Sequence, residues 1–189
     1  MFSSKTILVT GGAGFIGSAF CRYIIKNTKN KIIILDKMTY ASNMTSIKNV
    51  VNNNNVVFVK GSIGNKMLVE KLLKEYYPNY VVNFAAETHV DNSIKNPETF
   101  IKTNIVDTHT FLKTLLEFYK KLKDTDASSF KFLQISTDEV YGDIAFNANP
   151  VDESAPYKPS SPYSASKAAG DHLVKAYFRT FKFPGLISN

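Results

Sequence analysis

Tryptophan is absent from these 189 residues, cysteine occurs once, and only two of the 23 basic residues are arginines. Cys21 stands alone, so neither a disulfide framework nor a cysteine-built zinc site is available. His89 has no second His or Cys at metal-ligand spacing, and His109 and His172 fall inside helical patterns, so no metal site is expected. No apolar run approaches the ~18 residues of a membrane span. No charged-then-apolar leader precedes the first strand, which begins at about residue five. A cytoplasmic location with no membrane partner is therefore expected. The net charge of +7 comes from lysines scattered over the chain, with Arg22 and Arg179 as the two arginines. Nucleic-acid readers cluster their basic residues and use arginine at base edges, so neither DNA nor RNA is an expected partner.

What the chain does have is a glycine cluster near its start. Four of its 9 glycines, Gly11, Gly12, Gly14 and Gly17, fall within a stretch of seven residues. Ile7, Leu8 and Val9 precede them as a run typical of a strand buried on both faces. Ile16, Phe20, Tyr23 and Ile24 follow at helical spacing. A strand, a G-x-x-G-x-x-G turn and a helix open a dinucleotide-binding unit. Such glycines make the tight turn, admit a pyrophosphate to the backbone and let helix and strand pack closely. The helix start then offers its unpaired N–H groups to the phosphates. Asp36 ends the next apolar run, Ile32-Ile-Ile-Leu35, where a carboxylate can accept from a ribose 2′-hydroxyl. It would repel a 2′-phosphate, so the expected cofactor is NAD and not NADP.

Strands and helices alternate along the rest of the chain. A short helix is expected before the polar run 52–55, then a strand at Val56-Val-Phe-Val59. Leu68, Leu72 and Leu73 mark a helix stopped by Pro78, and Tyr80-Val-Val-Asn-Phe-Ala-Ala86 reads as strand four. Pro97 opens the longest helical pattern, carried by Ile101, Ile105, Thr108, Leu112, Leu115 and Tyr119. Residues 124–129 read as a polar loop, and Phe132-Leu-Gln-Ile135 as strand five. The irregular stretch 141–160 is long enough to suggest function. Ser161 and Pro162 form an N-cap and first-turn proline for a helix reaching about Phe181, and Gly185-Leu-Ile187 begins a sixth strand. The predicted fold is α/β: a Rossmann-type, doubly wound parallel sheet with helices on both faces, in one domain over 1–189. A buried-type strand at the end of the chain leads us to expect the front part of a longer protein.

Two groups of residues can carry chemistry. Tyr163 and Lys167 stand at i and i+4 on one helix face, just after strand five and its long loop, where ligands enter such sheets. The same spacing recurs at Tyr119 and Lys123, read as a solvated face. At 4 Å and an effective dielectric of 20, a cation stabilises a phenolate by about 4 kcal/mol, so Lys167 is expected to draw the Tyr163 phenol toward neutrality. The second group, Thr137, Asp138 and Glu139, follows strand five. It reads equally as a polar turn or as two carboxylates with opposite acid and base roles.

The glycine stretch, Asp36-Lys-Met-Thr-Tyr-Ala-Ser-Asn43, Ala85-Ala-Glu-Thr-His-Val-Asp-Asn-Ser93, Ser136-Thr-Asp-Glu-Val-Tyr-Gly142 and Ser161-Pro-Tyr-Ser-Ala-Ser-Lys167 together resemble the dTDP-glucose 4,6-dehydratases. These belong to the extended short-chain dehydrogenase/reductase group. The resemblance runs over the whole chain, with Thr137-Asp-Glu139 as its most specific part. Related 4-epimerases usually carry serines there, and decarboxylases usually lack the Asp. The resemblance implies that Tyr163 takes the proton of the sugar 4-hydroxyl while hydride passes to NAD. Lys167 would hold the nicotinamide ribose, Thr137 the 4-oxygen, Glu139 would remove the C5 proton and Asp138 would protonate the departing 6-hydroxyl. Keeping Asp138 protonated calls for burial beside the other carboxylate. Cofactor contacts are implied at Gly11, Gly14, Phe15, Ile16, Gly17, Asp36, Lys37, Met38 and Thr39. Further contacts fall at Ser62, Ile63, Phe84, Ala85, Ala86, Thr88, Thr103, Tyr163 and Lys167, and substrate contacts at Thr88, Thr137 and Asn189.

The resemblance further implies a homodimer formed through the helices over 98–121 and 163–181. Ser62 departs from the family, which usually has an Asp facing the adenine, and Asp107 replaces a frequent glycine. The family continues beyond Asn189 into a nucleotide-binding lobe, so this chain alone is expected to be inactive. The nucleotide, dTDP or UDP, stays open, with Ser42 and Asn92 similar to the UDP-glucose enzymes of rhamnose synthesis. The other readings are a 4-epimerase or decarboxylase on the same fold, or a non-catalytic NAD-binding module.

Overall fold

The computed structural model describes residues 4–189 and is built on one sheet of six parallel strands. These are β1 Thr6–Thr10, β2 Lys31–Asp36, β3 Val56–Lys60, β4 Tyr80–Asn83, β5 Lys131–Ile135 and β6 Gly185–Ser188. They lie in the order β3-β2-β1-β4-β5-β6. The chain therefore winds outward from β1 in one direction and, after β3, crosses back to β4 and winds the other way. This gives a crevice between the ends of β1 and β4, where such sheets bind ligands.

The helices are α1 Phe15–Asn27, α2 Met44–Val51, α3 Lys66–Tyr76, α4 Val90–Lys95, α5 Pro97–Phe100, α6 Thr108–Tyr119, α7 Asp124–Ser129 and α8 Pro162–Phe181. Successive strand residues point to opposite faces, so the unbroken apolar runs of β1 and β2 imply cover on both sides. Leu8, Ile33, Leu35, Val81 and Phe132 face one core, closed by α3, α6 and α8 through Leu72, Leu73, Phe111, Leu115 and Val174. Ile7, Val9, Ile32, Ile34 and Val82 face the other, closed by α1 and α2 through Cys21, Ile47 and Val50. Burial pushes the Cys21 thiol up to about 12, which keeps it protonated and unreactive. Among the described residues, no helix is long and apolar enough to cross a membrane.

The doubly wound parallel sheet is as the sequence predicts, and four local features differ. Strand β4 stops at Asn83, so Phe84, Ala85 and Ala86 belong to the loop over its end. Residues Val90–Lys95 form the short helix α4, too brief for periodicity to reveal. Asp124–Ser129 is the helix α7 and not a loop, with Asp124 and Asp126 in its first turn, where the helix dipole favours negative charge. The long helical pattern is interrupted by a π-helical stretch at Ile101–Asp107. Its five-residue period pairs Lys102 with Asp107 and lets the Thr108 hydroxyl donate to the Thr103 carbonyl at 3.4 Å. The wider turn leaves Ile101 49% exposed and sends Thr103 and Asn104 inward.

At the other end of the chain, Ser161 caps α8 as expected. Its hydroxyl accepts from the Ser164 N–H, while its own N–H donates to the Ser164 hydroxyl, both at 3.0 Å. The start of α1 depends on close backbone approach. A Cβ on Gly17 would lie 2.3 Å from the Gly11 carbonyl oxygen, so α1 could start there only by moving away from β1. Gly17→Ala should therefore cost roughly 2 kcal/mol, as overpacking does, and lower the midpoint of thermal unfolding by several degrees. An unchanged midpoint would show that α1 does not rest on this contact.

Candidate functional site

The ends of β1, β2, β4 and β5 open onto a cavity of about 360 Å³. Its base is the glycine turn, where Gly11 has a φ of +66° and a Cβ would strike the backbone of Phe84 and Ala85. Among the described residues no side chain caps the N-terminus of α1, so its first N–H groups face the cavity beside Gly14, Phe15, Ile16 and Gly17. That is the condition in which a helix start binds phosphate.

Asp36 closes one end of the cavity and is 4% exposed. Its carboxylate accepts from the N–H of Ala13 and of Met38, each at 2.8 Å, and from the Ser42 hydroxyl at 2.7 Å. Of the ~four acceptor positions of a carboxylate this leaves one, on Oδ2, for a ligand hydroxyl. Ser42, not assigned to the site from sequence, thus holds the residue that is. Lys37, Thr39 and Ser62 line the same end. Met38 and Ile63 do not. Met38 takes a φ of +59° and packs its side chain against the α1–α2 core, and Ile63 lies in the core on the opposite face of the sheet.

Phe84, Ala85, Ala86 and Thr88 form the wall over β4, and Thr103 comes in from the π stretch. Among the described residues the buried Thr103 hydroxyl has no hydrogen-bond partner. A buried polar atom left in that state at a cavity wall suits a ligand that pairs with it. Next to it Asn104 braces the wall. Its amide accepts from the Glu87 N–H at 2.8 Å and donates to the Glu87 carbonyl and the Ser166 hydroxyl, both at 2.9 Å. Beneath, Thr10, Asn83 and Gln134 join side chains across β1, β4 and β5. The π turn and this polar row tie the end of β5, the loop over β4 and α8 together at the cavity wall.

Tyr163 and Lys167 line the far end of the cavity, and both are buried. The Tyr163 N–H donates to Ser93 Oγ at 3.1 Å, and the ring packs edge-on against Phe100. The Lys167 ammonium donates to the Ile135 carbonyl at 2.6 Å. Burial brings its pKa down from 10.5 to about 8, with Asp171 opposing the fall. The expectation that Lys167 draws the Tyr163 phenol toward neutrality is not met in this arrangement. Burial pushes that phenol up, the Thr137 hydroxyl beside it pulls the other way, and Glu139, Asp138 and Asp171 add to the rise. The ammonium is committed to the end of β5, and burial is the largest cause acting on the phenol.

Thr137, Asp138 and Glu139 sit just outside the cavity wall. The chain is extended at Thr137 and turns at once into a 3₁₀ turn, Asp138–Tyr141, with the Thr137 hydroxyl accepting from the Glu139 N–H at 3.3 Å. Both carboxyl side chains are exposed, so the burial expected around Asp138 is not supplied by the described residues. Asn189, also exposed, donates through Nδ2 to the Thr137 carbonyl at 3.3 Å. His89 is an exposed residue at the start of α4. Sequence reading missed Glu87, Ser136 and Asp171. Only Asp171 left a signal, its place one turn beyond Lys167.

Comparison with known proteins shows the family of the chain. The family model described as GDP-mannose 4,6 dehydratase matches residues 8–189. The chain belongs to this family of NAD-dependent epimerases and dehydratases, and within it to the dTDP-glucose 4,6-dehydratase group. It is 47% identical over 183 residues to a dTDP-glucose 4,6-dehydratase of Haemophilus influenzae, covering 97% of this chain and 54% of that protein. The dTDP-glucose 4,6-dehydratase of Bacillus anthracis, solved in complex with NAD, superposes with a TM-score of 0.82 at 40% identity over 97% of this chain and 54% of that one. A dTDP-glucose 4,6-dehydratase of Streptomyces venezuelae, solved with NAD bound, gives 0.85 at 37% identity over 96% and 54%. The chain thus spans about half the length of the curated relatives it matches.

The depressed Lys167 has a consequence for stability. Between about 8 and 10.5 the unfolded chain still holds a proton that folded Lys167 has lost. Stability should therefore rise with pH across that window. Lys167→Met should lack this rise, so the difference in urea midpoint between wild type and variant should move in favour of wild type as pH increases. Parallel pH profiles would show that Lys167 is not held against its own charge.

Proposed function

We propose that the chain is the NAD-binding part of a 4,6-dehydratase that converts dTDP-glucose or UDP-glucose into the 4-keto-6-deoxy sugar. The observation that supports this most is the meeting of Tyr163 and Lys167 at one end of a cavity whose other end is the Asp36 carboxylate, with Thr137 beside the phenol just outside the wall. NAD would lie along that cavity. Its pyrophosphate would rest on the start of α1, a ribose hydroxyl on Asp36 Oδ2, and the nicotinamide ribose beside Tyr163, Lys167 and Thr103. The bare glycine turn and the unpaired Thr103 hydroxyl fit it. When bound, NAD supplies a two-electron oxidation at C4 of the sugar and returns the electrons at C6.

The protein's own residues then move protons. Tyr163, helped by Thr137, accepts the proton of the 4-hydroxyl. Once C4 is a ketone, the C5 proton is acidic, and Glu139 removes it. Asp138 gives a proton to the departing 6-hydroxyl. Because the chain turns directly after Thr137, the two carboxyls can reach different atoms of one sugar. Asp138 and Glu139 are exposed here, so the cover that would keep Asp138 protonated must come with the sugar and the rest of the longer protein. Binding energy from the nucleotide would orient the sugar, so this chain alone is expected to bind NAD without turning over.

Ser42 gives its hydroxyl to Asp36, so its presence does not favour UDP over dTDP. A homodimer is proposed through the helical segments over 98–121 and 163–181, where Ile101, Val106, Phe178 and Phe181 leave apolar surface exposed. A non-catalytic NAD-binding module is the second reading, and the joint presence of Tyr163, Lys167 and Thr137 disfavours it. An epimerase or decarboxylase is disfavoured by the adjacent pair Asp138 and Glu139.

Calorimetric titration of the chain should show NAD bound more tightly than NADP. Asp36→Ala should weaken NAD roughly tenfold or more, as loss of a charged hydrogen bond does, and narrow the gap to NADP. Equal affinity of wild type for both would remove the ribose assignment. In the longer protein, Glu139→Gln should lose solvent exchange at C5 together with product, by ~10²-fold or more. Asp138→Asn should keep C5 exchange and stall at water loss. The reverse pattern would exchange the two roles, and two fully active variants would reduce the pair to a polar turn.

A further inference from the structure

Tyr163, Lys167 and Asp171 follow one another at four-residue intervals along α8 and so share one face of it. Asp171 is fully buried, yet no role in cofactor or sugar chemistry has been given to it. Its Oδ2 accepts from the Ser136 hydroxyl at 2.5 Å and from the Tyr157 hydroxyl at 3.1 Å. Lys167 meanwhile holds the carbonyl of the preceding residue, Ile135. Two consecutive turns of α8 therefore grip the two residues immediately before Thr137. Tyr157 adds a third segment. It lies in the irregular stretch 141–160, which folds back over the 3₁₀ turn. The Lys158 N–H donates to the Val140 carbonyl at 2.9 Å, and Gly142, at a φ of +82°, lies so close that a Cβ would come 2.1 Å from the Lys158 carbonyl oxygen.

Among the described residues Asp171 Oδ1 has no hydrogen-bond partner. A tie between three segments does not need that half-satisfied carboxylate, because a neutral amide can accept the same two bonds. The charge has a neighbour to act on. Lys167 is the ammonium one turn away, and Asp171 opposes the loss of its proton. The other titratable groups around Asp171 are Lys175 on α8, Tyr157 and Tyr141 from the folded-back stretch, and Tyr163. His172 packs on the Tyr157 ring, the Lys175 ammonium lies 4.2 Å from its centre, and Glu153 acts on Tyr141 from further out.

We propose that Asp171 is a positioning residue: through Ser136 and Tyr157 it ties the end of β5 and the stretch 141–160 to α8, so that Thr137, Asp138 and Glu139 are presented to Tyr163 and Lys167. What those five residues do rests on the dehydratase reading; the tie does not. Its negative charge also keeps the Lys167 ammonium in place at the end of β5.

The test uses the chain itself in two measurements that need neither sugar nor cofactor. Hydrogen exchange reads the amides of 139–160, and ¹³C-labelled lysine reads the titration of Lys167, assigned by comparison with Lys167→Arg. Tyr157→Phe, a change at a half-exposed residue that leaves the core intact, should speed exchange in 139–160 roughly fivefold, the effect of one lost hydrogen bond. It should leave the Lys167 midpoint near 8. Asp171→Asn, whose amide oxygen can accept the same two bonds, should leave exchange in 139–160 near wild type and move the Lys167 midpoint to lower pH. Unchanged exchange in Tyr157→Phe would overturn the tie, and a Lys167 midpoint unmoved by Asp171→Asn would overturn the action of its charge. Failure of wild type to bind NAD would count against the dehydratase reading and leave both of these measurements standing.

Discussion

A parallel sheet covered by helices on both faces can admit polar chemistry only at its strand ends, because everything between the layers is apolar. In this chain that constraint places every group of interest. Thr10, Asn83 and Gln134 sit at the carboxyl ends of β1, β4 and β5 and satisfy one another there. Asp36 ends β2, and Ser136 and Thr137 follow β5. The crossing from β3 back to β4 opens the crevice between β1 and β4, and the glycine turn keeps its floor thin enough for a backbone to meet a phosphate. Packing and site are consequences of one arrangement.

Within that crevice the balance of burial against charge sets the chemistry. Lys167 is buried far enough to lose its proton near 8, and Tyr163 is pushed up. An ion pair between the two was the simple expectation, but the ammonium holds the end of β5. A ribose placed between them would receive hydrogen bonds from both. The tyrosine would then gain its cation through the ligand and not before it. The exposed carboxyls of Asp138 and Glu139 tell the same story from the other side, since their environments can diverge only once something covers them.

Much of this was legible in the sequence because it rests on local rules. Apolar runs gave the strands, glycine spacing gave the turn, Asp36 followed from its place at the end of the second apolar run, and Ser161-Pro162 announced α8. What stayed hidden depends on contacts between distant segments. The π turn cannot be told from an α-helix by pattern, because Ile101 and Ile105 fit either period over so short a span. Helices α4 and α7, each of 6 residues, are too short to show a face. Asp171 lies at helical spacing from Lys167, and its burial under Ser136 and the returning Tyr157 is not visible in the sequence. The resemblance implies Met38 at the cofactor, whereas its side chain packs against the α1–α2 core.

The dehydratase proposed for this fold would oxidise and reduce the same sugar without releasing the electrons. This is tested most directly with dTDP-glucose and UDP-glucose carrying deuterium at C4, incubated with the longer protein and NAD. The account predicts a 4-keto-6-deoxy product with the deuterium at C6. Deuterium that stays at C4, whether in unchanged glucose or in its 4-epimer, would contradict it.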